Sequence, residues 1–268
     1  MTYLPRTDHR GRLTLGKRGT KFTQIQYTTL LDTHEHARLA LNYKGLAFRT
    51  QWVEYPDIRS TLQPLVPPNA DGIPSSYSVP AITDLASSDG STPGPTIMGS
   101  EAIAAYLDIT YPSRPLFRGS PASRVAQQEL INLVEPKVLG RMLYVDQPAL
   151  VTDILNPKGA EWFRRTREEK HEGRTLEELA SPSEEQWRKV EAGLDELDAF
   201  IGKSDREDLE VVLARTGGAD EPTFATFVVA GPLIWIQKVA PPDVWARIMT
   251  AKDGRWARFM ASVKPYTA

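Results

Sequence analysis

The sequence predicts two units in series, a small α+β domain built on a mixed four-stranded sheet and then an all-α domain. Strand-like alternation is confined to the stretch before Gly99, where it interleaves with helical spacing in the order β-α-β-α-β-β-α. The run Tyr111-Pro112-Ser113-Arg114-Pro115 is stiff and breaks both patterns, as a domain boundary does. Beyond it only helical spacing remains.

Composition narrows the function classes. A chain of 268 residues, 41% of them hydrophobic, is long and apolar enough for real cores. Its net charge of −2 gives no electrostatic reason to expect nucleic acid or an anionic membrane as partner. No apolar run approaches the roughly 18 residues that a membrane span needs. Without cysteine there is no disulfide framework, no thiolate nucleophile of the chain's own, no CxxC redox pair and no Cys-based zinc site. Residues 1–22 carry Arg6, Arg10, Arg12, Lys17, Arg18 and Lys21 against Asp8 and lack the apolar stretch of a secretory signal. They are expected to be a basic, poorly ordered tail, and the protein is read as cytoplasmic.

The first strand is expected over Thr23 to Leu31, with Ile25, Tyr27 and Leu30 available for burial. The helix that follows begins near His34, with Asp32 or Thr33 as its N-cap and Gly45 as its stop. The alternation in LAFRTQWVEY reads as a second strand, and Pro56-Asp57 opens a short helical segment through Leu62. This strand-helix-strand order implies a parallel pair with a right-handed crossover. A proline-bearing loop from Gln63 to Ser78 leads to Val79-Pro80, where the proline is a candidate cis residue just before a short buried strand at Ala81-Ile82. A second strand near Thr96 to Met98 pairs with it antiparallel, and a helix opens at Ser100. By itself that serine reads as an N-cap; a helix start with a hydroxyl and free amides is also an anion site.

In the second half, Ser123 to Tyr144 has helical spacing with a kink or break at Pro136. The segment Asn156 to Leu179 is dense in charges of both signs and reads as a solvated helical face laced with i,i+4 pairs. Pro182 to Ile201 is amphipathic, and Pro222 to Val239 is the most apolar helix, a core element with Thr223 as cap. Two further helices span Asp243 to Ile248 and Arg255 to Val263.

This arrangement resembles the glutathione transferase superfamily: a thioredoxin-like N-terminal domain at residues 23–111, a linker at 112–120, and an all-helical domain at 121–268. Val79-Pro80 looks like that family's cis-proline loop, and Ser100-x-x-Ile103-x-x-Tyr106-Leu107 like its serine-led third helix. Three stretches are similar more specifically to fungal transferases related to bacterial β-etherases. They are Arg38-x-x-Leu41-Asn42-Tyr43-Lys44-Gly45, Trp52-Val53-Glu54-Tyr55-Pro56-Asp57-Ile58, and Phe163-Arg164-Arg165-Thr166-Arg167-Glu168 with Leu176-Glu177-Glu178.

The resemblance implies a homodimeric enzyme of fungal secondary metabolism that binds glutathione and a hydrophobic small molecule. The tripeptide's cysteinyl backbone would add to Val79 before Pro80, and its γ-glutamyl carboxylate would meet Ser100, with Glu101 beside it. A donor at the start of the first helix would hold the sulfur as thiolate, and Arg141, Tyr144 and Trp235 would line the second site. The expected reactions are conjugation, thiolytic ether cleavage or addition-elimination.

Two positions depart from the family pattern at the site itself. Counting back from Arg38, the catalytic serine falls on Leu31 and its following proline on Asp32. Leucine cannot orient a thiolate, which leaves Thr33, Thr29 or a backbone amide at 33–34 for that task. Gly99 replaces the usual acid or amide before the helix-three serine, and the capping box of the apolar helix reads Thr223-x-x-Thr226, with its second arm lost. Asp32, Thr33 and His34 are therefore the catalytic candidates, with His36 nearby as a further titratable group. A metal site is not expected, because His34 and His36 point to different sides of a helix. Two other readings stay open: a glutathione-independent cyclase, dehydratase or isomerase using these acid/base groups, and a non-catalytic ligand-binding protein.

Overall fold

A computed structural model of the chain describes residues 3–7, 13–17, 22–27, 35–70, 72, 75–85, 94–142, 145, 150–180, 183–202 and 222–267. Strands β1 (Tyr3–Thr7) and β2 (Leu13–Lys17) form an antiparallel ladder with Tyr3 opposite Lys17 and Thr7 opposite Leu13. Residues 3–7 and 13–17 of the basic tail thus pair as strands, which its composition did not suggest. Leu13-Thr14-Leu15 has the two-residue alternation that a ladder uses, and charge alone concealed it.

Next come β3 (Phe22–Tyr27), α1 (Glu35–Lys44), β4 (Ala47–Trp52), a 3-10 turn (Tyr55–Asp57) and α2 (Ile58–Leu62). After the loop, β5 (Ala81–Asp84), β6 (Thr96–Met98) and α3 (Ser100–Thr110) complete the α+β unit. The sheet order is β4-β3-β5-β6, with β3 and β4 parallel and the other pairs antiparallel, which is the predicted mixed sheet. The first strand stops at Tyr27, and the expected stretch 28–34 lies outside the described residues. Gly45 ends α1 as predicted: at φ 68° it lets Leu46 N–H reach the Leu41 carbonyl at 3.1 Å while its own N–H reaches Asn42 at 3.0 Å.

The connection to the helical unit is pinned by charge. The buried Lys44 ammonium meets Asp108 Oδ1 at 2.7 Å and the Tyr111 carbonyl at 2.8 Å. Asp108 also accepts the amides of Leu116 and Phe117 at 2.9 Å, so one carboxylate ties α1, α3 and the linker together.

Helix α4 (Pro121–Val134) passes into a π turn (Glu135–Leu139) and then α5 (Gly140–Met142). Pro136 has no N–H for the usual ladder, and the wider turn absorbs the fault. A second π turn (Leu150–Ile154) precedes α6 (Pro157–Lys170), which Asn156 caps through Gly159 N–H at 2.8 Å. Short α7 (Leu176–Leu179) starts at a Thr175/Glu178 capping box and α8 (Glu184–Gly202) follows. The charged face forms the predicted pairs, among them Arg164 to Glu168 at 3.0 Å and Arg165 to Glu169 at 3.3 Å.

Helix α9 (Phe224–Val239) is buried along nearly its whole length, as its apolar character requires. Its capping box is not lost: Thr226 accepts the Thr223 N–H at 3.1 Å, because a hydroxyl serves as well as the expected carboxylate. The run α10 (Pro242–Val263) breaks in two at Ala251 to Gly254, with Lys252, Asp253 and Gly254 all at positive φ, which matches the two short helices predicted there. A 3-10 turn (Lys264–Tyr266) follows. Among the described residues no helix is long and apolar enough to cross a membrane.

The two units meet through the stretches that carried the specific resemblance. Tyr55 stacks on Trp162 with centroids 5.1 Å apart, Arg167 lies over Phe163 at 4.7 Å, and Lys158 pairs with Asp57 at 2.6 Å. Those motifs hold the domains to each other.

Candidate functional site

The site that the sequence points to lies where β5 begins and α3 begins. The Val79-Pro80 bond is cis, and both residues are buried. Pro80 accepts the Gly99 N–H at 3.0 Å, which joins the strand start to the helix start. Gly99 in turn accepts the Ile103 N–H at 2.9 Å, making it the N-cap of α3. Ser100 is therefore the first helical residue and not the cap. Its hydroxyl is not drawn into capping, and the amides of this first turn have no intrahelical acceptor. Glu101 stands next to it, exposed.

The departure at Gly99 has a backbone cause. With φ 85° and ψ 131° the position suits glycine, although a side chain would meet nothing within 4 Å. The middle and far end of α3 are braced by Asp84, 1% exposed, whose Oδ2 accepts the Tyr106 and Tyr111 hydroxyls at 2.7 and 2.5 Å. Burial and this carboxylate push the Tyr106 hydroxyl's pKa up.

Leu31, Asp32, Thr33 and His34 lie outside the described residues, as do Thr29 and Tyr144. The first described residue of α1 is Glu35, 4% exposed, with its carboxylate 2.5 Å from Arg38 Nε. Burial raises its pKa and Arg38 opposes that rise. The sequence reading passed over Glu35 between two histidines; the Glu-x-x-Arg spacing on one helical face was the signal that could have found it. His36 sets its ring edge against Phe224, 6.0 Å between centroids.

Of the residues expected at a second site, Trp235 and Arg141 lie among the described residues. Trp235 is 1% exposed within α9, so it packs the core, as a helix that is apolar all round requires. Arg141 is turned onto α8, where it donates to the Lys189 carbonyl at 2.8 Å and to Glu196 at 2.7 Å. Among the described residues there is no group of three His, Cys, Asp or Glu side chains able to hold a metal ion.

An anion and an extended backbone fit this geometry: the first turn of α3 offers amides, a hydroxyl and the positive end of a helix dipole. Residues 126–266 match the glutathione S-transferase C-terminal domain family. The chain is 33% identical over 238 residues to the glutathione S-transferase-like protein ustS of Aspergillus flavus, covering 85% of this chain and 81% of that protein. A glutathione S-transferase of Ceriporiopsis subvermispora, solved in complex with glutathione, superposes with a TM-score of 0.74 at 29% identity, covering 92% of this chain and 98% of that one. The glutathione transferase GSTFuA3 of Phanerochaete chrysosporium gives 0.74 at 27% identity, with the same coverage.

Proposed function

The chain belongs to the glutathione transferase superfamily, with its thioredoxin-like N-terminal and all-helical C-terminal domains, and on that premise we propose that it is an enzyme that binds glutathione at the junction of β5 and α3. Val79 offers main-chain pairing to the tripeptide's cysteinyl unit, while Ser100 and the first-turn amides of α3 take the γ-glutamyl carboxylate. When bound, glutathione supplies a thiol nucleophile. The chain's part is to orient that thiol from the start of α1, where Thr33 is the hydroxyl on the helix side of the missing serine's position and Asp32 and His34 are the adjacent acid/base groups. The electrophile is a hydrophobic small molecule of fungal secondary metabolism, and the reaction is conjugation, thiolytic ether cleavage or addition-elimination. A cytoplasmic homodimer, with domains at 23–111 and 121–268, is the form in which we expect it to act.

The observation that carries the reading is the Gly99 N–H bond to the Pro80 carbonyl at 3.0 Å, which sets the two binding segments side by side and leaves Ser100 uncommitted to capping. Isothermal titration of the protein with glutathione tests it. A saturable heat at or below millimolar concentration is expected; no heat at that concentration sinks the proposal.

A further inference from the structure

Helix α1 follows the thiol-orienting segment of the proposed site, and its described residues are held along one face by the segment after α10. Asn42 Nδ2 donates to the Tyr266 carbonyl at 2.7 Å, and Arg38 Nη2 donates to the Thr267 carbonyl at 3.4 Å. Arg38 and Asn42 are four residues apart and so stand on one helical face. The Tyr266 ring completes a three-ring cluster, near edge-on to Tyr43 of α1 at 5.5 Å and to Phe227 of α9 at 5.7 Å, where Tyr43 and Phe227 already lie 5.8 Å apart. Arg38 is shared: the same guanidinium that donates to the Thr267 carbonyl meets the buried Glu35 carboxylate at 2.5 Å.

Breaking a buried ion pair by removing one partner is strongly destabilising. The turn Lys264–Tyr266 and the Thr267 that follows it brace the pair here, Tyr266 through Asn42 and Thr267 through Arg38, the charge facing Glu35. We propose that residues 264–267 form a strap along one face of α1, from Arg38 in its first turn to Asn42 and Tyr43 in its last, that steadies the packing of α1 on α9, with Arg38 and Asn42 as positioning residues for the glutathione thiol; the last clause rests on the function proposed above.

The test uses the full chain with Asn42→Ala and, separately, Tyr266→Ala, against Leu197→Ala, a cavity variant in α8. Native-state hydrogen exchange and glutathione titration are read on each. Both strap variants are expected to lose protection by about tenfold at the α1 amides beyond any loss elsewhere, and to bind glutathione about tenfold more weakly. Alanine is the better helix former, so an α1 governed by its own propensity would gain protection in Asn42→Ala. Unchanged α1 exchange overturns the strap. An unchanged Kd beside altered exchange, or an equal rise in Kd in Leu197→Ala, overturns the positioning role of Arg38 and Asn42. If the unaltered protein does not bind glutathione, the function proposal falls alone, and the exchange pattern still decides the strap: loss confined to α1 supports it, and uniform loss overturns it.

Discussion

Gly193 of α8 lies directly against the Lys137 carbonyl of the π turn, closer than any residue with a Cβ could approach. The turn exists because Pro136 breaks the regular ladder, and the carbonyl it turns aside needs a neighbour without a side chain. Arg141 Nη1 would stand only 3.2 Å from the same added atom. Gly193→Ala ought to stabilise an exposed helix by about 1 kcal/mol. Here it is expected to destabilise by about 1–3 kcal/mol through overpacking, read as a lower urea midpoint at constant slope. A raised midpoint would show that the π turn can move aside.

At the domain boundary Gly159 has the same role for Glu54. A Cβ at Gly159 would run into Glu54 Oε2, the far end of a flexible side chain, which must swing away to admit it. Gly159→Ala is therefore expected to cost clearly less than Gly193→Ala, since a side-chain tip yields where a backbone carbonyl does not. In a double-mutant cycle with Glu54→Ala the second change should cost less than it does alone, since the carboxylate that collides is gone. Strict additivity in urea unfolding would show that the collision is relieved elsewhere.

These two glycines mark what the sequence could and could not reveal. Features that rest on local chemistry were legible: Gly45 as a helix stop, Pro136 as a fault, Val79-Pro80 before a strand, and the i,i+4 pairs of α6. The partners that justify Gly159 and Gly193 come from remote segments, and no periodicity announces them. The same holds for Trp235. Its helix was read correctly as core, yet an aromatic on a core helix and one lining a cleft look alike until the packing is known. Ser100 was legible as the helix start, and only its reading as the cap differs, because Gly99 takes the cap with a backbone conformation that its residue type permits but does not demand.

Glu35 gives the pH dependence. Its folded pKa is raised above 4.5, first by burial, with Arg38 acting against the rise. Between 4.5 and that raised value the folded state holds a proton that the unfolded state has released, so the group's contribution is fully present below 4.5 and is lost as pH climbs through the folded pKa. Glu35→Gln removes this titration. The stability difference between wild type and Glu35→Gln, from urea unfolding at a series of pH values, is expected to shift against wild type as pH rises through that window. A difference independent of pH would place the carboxylate in water.

The last prediction separates the two residues at the start of α3. Ser100→Ala removes a hydroxyl that makes no capping bond, so stability should change by less than about 0.5 kcal/mol, while glutathione affinity should fall by about 1.5–3 kcal/mol if the hydroxyl meets a carboxylate. Gly99→Asp restores the acidic residue expected in the family and meets no atom within 4 Å, yet it forces a side chain onto φ 85°. That substitution is expected to cost about 1–3 kcal/mol of stability from the backbone alone. Any gain in glutathione affinity from the new carboxylate would then appear against a lower melting temperature, and the two readouts, calorimetric titration and thermal unfolding, should move in opposite directions. If Ser100→Ala instead destabilises the protein and leaves affinity unchanged, the hydroxyl is structural and the carboxylate is held by the amides of the first turn.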